Sequence, residues 1–139
     1  MHKILILRSE EDISHSRDIV KALGHLVKMK EAVLFSIDTI PVGSNIEESL
    51  VEYAANATHS ITLLSMNVDL NLLDLLDKLL MENVSGLGIY VSYVDDEFKD
   101  EFRKRLEGIV PVTPLKSYED YSEALADVVN YIRIWLKKK

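Results

Sequence analysis

Residues 32–64 read AVLFSIDTIPVGSNIEESLVEYAANATHSITLL. Two short apolar runs bracket an amphipathic stretch. Ala32 to Ile37 and Ser60 to Leu64 are short, rich in branched side chains and bounded by turn residues, so each is expected as a buried strand. Between them Pro41 and Gly43 mark a turn. Ile46, Leu50, Tyr53, Ala54 and Ala57 then fall on one face of a helical period. Ser44 and Glu47 have the spacing of a capping box, in which each side chain satisfies a free amide of the other residue. The segment is therefore a strand–helix–strand unit, which joins parallel strands by a right-handed crossover.

The same alternation continues in both directions. Ile4 to Leu7 is a short branched run and reads as the first strand. Ser9 and Asp12 give a helix-start pattern, followed by Ile13, Ser16, Val20, Leu23 and Val27 at helical spacing. After Leu64, the residues Leu72, Leu73, Leu76, Leu79 and Leu80 form the buried face of a third helix. Leu87 to Val94 is the fourth strand. Asp95 to Leu106 places Phe98 and Phe102 on a charged background, as in a surface helix. Ile109 to Val112 is a fifth strand, ended by Pro114. Ser117 opens the last helix, whose face is Tyr121, Leu125, Val128, Ile132 and Trp135. Five strands alternating with five helices, without an internal linker, imply a single domain over residues 1–139. Its expected architecture is a three-layer, flavodoxin-like α/β fold with a parallel sheet in the order 2-1-3-4-5. The first and last helices should share one face.

Composition restricts the chemistry. The 139 residues carry 47% apolar and 28% charged side chains, an ordinary globular mixture, with a net charge of −7. Binding a duplex requires clustered Lys and Arg, and the one dense basic run is Lys137 to Lys139, so nucleic acid is not an expected partner. There is no cysteine, which excludes disulfides and thiolate metal sites. His2, His15, His25 and His59 form no ligand pair at helical spacing, and no metal is expected. No apolar run approaches the ~20 residues of a membrane span. A cytoplasmic location is the expectation.

Several reaction classes fail on their motifs. The first strand runs into Arg8, Ser9, Glu10 and Glu11 without a glycine, which removes a dinucleotide fingerprint, a P-loop and a flavin phosphate loop. The third strand ends at Ser65 where a phospho-acceptor receiver needs an aspartate. No serine lies in a nucleophile elbow. What remains is the loop from Asp38 to Ser44. Pro41 fixes φ and Gly43 accepts a positive φ without steric cost. A rigid, exposed loop is thus held at the carboxyl end of a strand, where α/β domains place their sites.

The segment IDTIPVGSNIEESLVEYAANATHSITLLSMN resembles the second box of TIR (Toll/interleukin receptor) domains. Asp38, Pro41 and Gly43 match its loop, Ala57 its helix end, and Leu64, Ser65 and Asn67 its strand end and turn. LILRSEEDISHSRDIVKAL is similar to a diverged first box, of which Ser9 and Asp12 are kept. PLKSYEDYSEALADVVNYIRIWL resembles the last strand and helix of bacterial TIR-like domains. The resemblance implies a signalling or assembly domain, in a prokaryotic defence or signalling protein, that pairs with itself or with other TIR-like domains. Its binding residues would be Asp38, Pro41, Gly43 and Ser44 in the loop, with Ser9 and Ser65 at the strand ends. Some TIR domains cleave NAD, so the resemblance also implies an alternative, an NAD glycohydrolase with NAD as substrate and no other cofactor. The glutamate that such enzymes carry on the third helix is replaced here by Asp74 and Asp77, shorter by about one methylene, and a misplacement of about 1 Å can cost ~100-fold in rate. A domain that senses a nucleotide without cleaving it is the third class.

Overall fold

The computed structural model describes residues 1–36 and 40–138, with the side chain of Glu47 left out. The strands are β1 (His2–Leu7), β2 (Ala32–Phe35), β3 (His59–Leu64), β4 (Ser85–Tyr90) and β5 (Gly108–Val110). The helices are α1 (Ile13–Ala22), α2 (Gly24–Lys28), α3 (Ile46–Asn56), α4 (Leu70–Met81), α5 (Asp96–Arg103) and α6 (Tyr121–Lys137). All strand pairs are parallel and the sheet order is β2-β1-β3-β4-β5. This is the flavodoxin-like arrangement that the alternation implies.

Side chains alternate across the sheet and build a core on each face. Ile4 and Ile6 of β1, Ile61 and Leu63 of β3, and Leu87 and Ile89 of β4 pack against α1, α2 and α6. Leu5, Leu7, Leu64 and Tyr90 turn the other way, toward α3, α4 and α5. The first and last helices thus share one face. Every residue of β3 is buried, as expected for the central strand of a sheet covered on both sides.

The elements differ from the sequence expectation at their ends. The first helical period breaks into α1 and α2 at Leu23 and Gly24: the Leu23 amide still reaches the Ile19 carbonyl, and Leu26 starts a new turn on Leu23. Glycine weakens a helix interior, which permits the bend. Asn45, not Ser44, caps α3, accepting the Glu48 amide at 3.0 Å. Ser44 closes the preceding turn instead, which leaves the extended Asn45 next to the helix. Asp120, not Ser117, opens α6, by accepting the Glu123 amide at 3.0 Å. Ser117 belongs to a short 3-10 turn, Leu115–Ser117, whose Leu115 is buried in the core. β4 stops at Tyr90 and β5 at Val110, although Val91 and Val94 remain buried beyond the strand.

Candidate functional site

In this strand order the connections leave β1 and β3 in opposite directions, which opens a crevice above their carboxyl ends. A buried polar network lies there. Ser65, the first residue after β3, donates its hydroxyl to Asp12 Oδ2 at 2.5 Å. Ser9, just after β1, donates to the same oxygen at 2.9 Å. The Asn67 amide donates to Ser65 Oγ at 3.2 Å. Asp12 is 2% exposed and Ser65 fully buried. Burying a carboxylate is costly unless it is hydrogen-bonded, and the two hydroxyls supply this. The local cause is the 3-10 turn Glu10–Asp12, which rolls Asp12 inward while Glu10 and Glu11 remain exposed. The Ser9–Asp12 spacing thus serves the site, and Ser9 makes no side-chain cap. Asp12 was legible as part of a helix-start pattern with Ser9 and as a remnant of the first TIR-like box, not as a member of the site. Its tie to Ser65 spans 53 positions and has no local signature.

A cleft of about 520 Å³ opens beside this network. Arg8, Ser9, Glu10 and Glu11 form one wall. Leu50 of α3 and Asn67, Asp69, Asn71, Leu72 and Leu75 around the start of α4 form the other. Three carboxylates against one guanidinium make this a poor cradle for a phosphate. One of the three, Asp69, is occupied in capping α4 through the Leu72 amide at 3.2 Å.

The remaining candidate residues lie elsewhere. Asp74 is exposed on α4 and does not line this cleft. Asp77 is held by Arg105, with Nε at 2.7 Å from Oδ1. Arg105 stands in the turn leading into β5, at the amino end of the sheet, and also donates to the Glu101 carbonyl and carboxylate. The Asp77 hydrogen bond raises the Arg105 pKa above its ordinary value. The structure therefore brings Ser9 and Ser65 together and leaves Asp74 and Asp77 apart from them.

Of the loop, Asp38 falls outside the described residues. Pro41, Val42, Gly43 and Ser44 are all exposed. The Ser44 amide donates to the Pro41 carbonyl at 3.1 Å and Gly43 has φ of 89°. A positive φ at the third position of a four-residue turn is the type II pattern, which favours glycine. The turn sets Val42 at its tip, fully exposed. Among the described residues no group of three or more His, Cys, Asp and Glu could hold a metal ion, and no helix is long and apolar enough to cross a membrane.

No family model matches the chain, and neither does any curated protein. Among solved structures it is similar to a 2-deoxyribosyltransferase from the psychrotolerant bacterium Bacillus psychrosaccharolyticus, described as a biocatalyst for nucleoside synthesis. That likeness covers 93% of this chain and 91% of the other at 16% identity, with a TM-score of 0.61. It is also similar to the TIR domains of the activated Roq1 resistosome, which recognises the pathogen effector XopQ. There the cover is 94% and 84% at 19% identity, with a TM-score of 0.51. At such identities the likeness is one of fold, and the chain shares with both proteins the overall α/β architecture described above.

Proposed function

We propose that the chain is a TIR-like association domain of a signalling or defence protein, and that it binds a second copy of itself or another TIR-like domain through the Pro41–Ser44 tip. The observation that carries this is the tip itself: a fully exposed valine on a turn fixed by the positive φ of Gly43. A surface already held in its binding shape loses little conformational entropy on association. The acidic walls of the switch-point cleft favour this function over one that grips the phosphates of a dinucleotide. In sedimentation velocity, the parent should associate with rising concentration and Val42→Glu should remain monomeric with an unchanged melting temperature.

The buried Ser9–Asp12–Ser65 network favours a second function, recognition of a nucleoside in the adjoining cleft, and the fold is similar to that of a nucleoside-processing enzyme. NAD cleavage would be the enzymatic form of it. Incubating the protein with NAD at micromolar concentration and measuring nicotinamide tests that enzymatic form: none should be released. Release of nicotinamide would replace the association function with catalysis, and its loss in Glu10→Gln or Glu11→Gln, two carboxylates that line the cleft, would assign the reaction to that cleft.

A further inference from the structure

A second groove runs along the free edge of the sheet, with a volume of about 830 Å³. β2 is the terminal strand and is hydrogen-bonded to β1 alone. The Glu31 carbonyl accepts the His2 amide at 3.0 Å, so the alternation along the strand turns the backbone amides and carbonyls of Ala32 and Leu34 away from β1; Ala32 is buried, and Leu34, half-buried, is the residue that offers them to a partner. Val20 and Val27 of α1 and α2 join Ala32 and Leu34 in an apolar floor. The rim is formed by Arg17, Lys21, Lys28 and Lys30, and among the described residues no acidic side chain lines the groove. A purely cationic rim runs against a chain with 23 acidic and 16 basic residues.

Lys30 adds an independent sign. It follows α2 and its last cap residue, Met29, with φ of 58°, a left-handed conformation that glycine or asparagine adopts at lower cost. Asn83 holds the equivalent place after α4, with φ of 59°. This conformation sets the Lys30 charge on the rim of the groove at a position where glycine would be less strained. The opposite edge of the sheet is treated differently: β5 has three residues and runs into Pro111 and Pro114, which discourages pairing. Ala32–Phe35 contains no proline, and its residues Val33 to Phe35 are only half-buried.

We propose that the β2 edge binds an extended segment of a partner protein in which apolar residues alternate with acidic ones, added to the sheet as a further strand. Outward main-chain groups would pair with the segment, alternate apolar side chains would enter the floor, and the acidic ones would meet the lysine rim. A second copy of this chain fits poorly, because among the described residues no strand contains an acidic residue. This site is separate from the Pro41–Ser44 tip, and its test does not depend on that function.

The test uses the full chain and three labelled peptides of about eight residues, the length of an ordinary strand. One alternates valine with glutamate, one valine with lysine, and one serine with glutamate. Fluorescence anisotropy reads binding, and amide hydrogen exchange reads the β2 edge. The valine–glutamate peptide should bind at least about tenfold more tightly than either control and weaken in high salt. It should also slow exchange at Leu34. Lys21→Glu with Lys28→Glu should weaken binding by about tenfold or more. Lys30→Gly should weaken it while the melting temperature holds or rises, because glycine relieves the backbone at that position. Equal binding of the lysine peptide, binding without protection of β2, or binding unchanged in Lys30→Gly would each overturn the proposal. So would self-association of the chain that Lys21→Glu abolishes, since that would assign the groove to a second copy.

Discussion

Asp12 sits at the centre of the candidate site, and its side chain has a structural task that can be measured. Two serine hydroxyls point at one of its oxygens inside the protein. Asp12→Ala would leave both without that acceptor, and a buried unsatisfied group costs about 1–3 kcal/mol. Urea unfolding should show a loss of that size, with Ser9→Ala costing less because Ser9 is only half-buried. Ser9 and Asp12 were visible in the sequence as a pair three apart. That the pair would turn inward to Ser65 was not, because the tie depends on β1 and β3 being neighbours. Tyr121 provides a second residue-scale test. Its hydroxyl donates to Asp18 at 3.1 Å and joins the start of α6 to α1. Burial, with the nearby Asp18 carboxylate, pushes its pKa from 10.0 up to about 12. The unfolded chain therefore loses this proton first as the pH rises. The stabilisation is complete below pH 10.0 and is lost as the pH climbs from there toward about 12. Melting temperatures across that range should fall less steeply for Tyr121→Phe than for the parent.

At the scale of elements, β4 shows why a strand carries two glycines in the run SGLGIY. Leu106, after α5, lies flat on this strand: a Cβ added at Gly86 or Gly88 would stand 2.9 Å from one of its methyl groups. At Gly88 one methyl group of Leu64 and the side chain of Ile109 close the remaining space, at 3.2 and 3.3 Å. Gly88→Ala should therefore overpack this layer and cost about 1–3 kcal/mol in urea unfolding. Gly88→Ala and Leu106→Ala together should cost less than the sum of the two single changes, because each relieves the crowding or the cavity the other creates. The apolar runs placed β4 and every other strand correctly along the chain. Their ends were less legible, since Val91 and Val94 stay buried after the ladder has ended and so continue the apolar pattern past the strand. The caps show a similar limit. Ser44 and Ser117 have the right chemistry, but Asn45 and Asp120 have it too and occupy the extended position next to the helix.

The sheet order could be read from the chain because alternating strands and helices with short connections leave few ways to build a parallel sheet. The two surfaces that give the molecule its proposed partners were not equally visible. Pro41 and Gly43 announce a shaped turn by their own backbone limits. The cationic rim at the β2 edge could not be seen, because Arg17 and Lys21 of α1, Lys28 of α2 and Lys30 in the turn after it face one groove only after folding. The tip at Pro41–Ser44 is the central element of the functional account, and it can be altered without touching the core. Pro41→His should change stability by no more than roughly 0.4–1 kcal/mol, since the site is exposed and the main effect is extra freedom in the unfolded chain. The most direct measurement is sedimentation velocity over a concentration series for the parent, Pro41→His and Val42→Glu, with melting temperatures taken on the same samples. The expected result is reversible association of the parent, its loss in both variants, and closely similar melting temperatures for all three. A parent that stays monomeric throughout the series, or variants that associate as the parent does, would contradict the account.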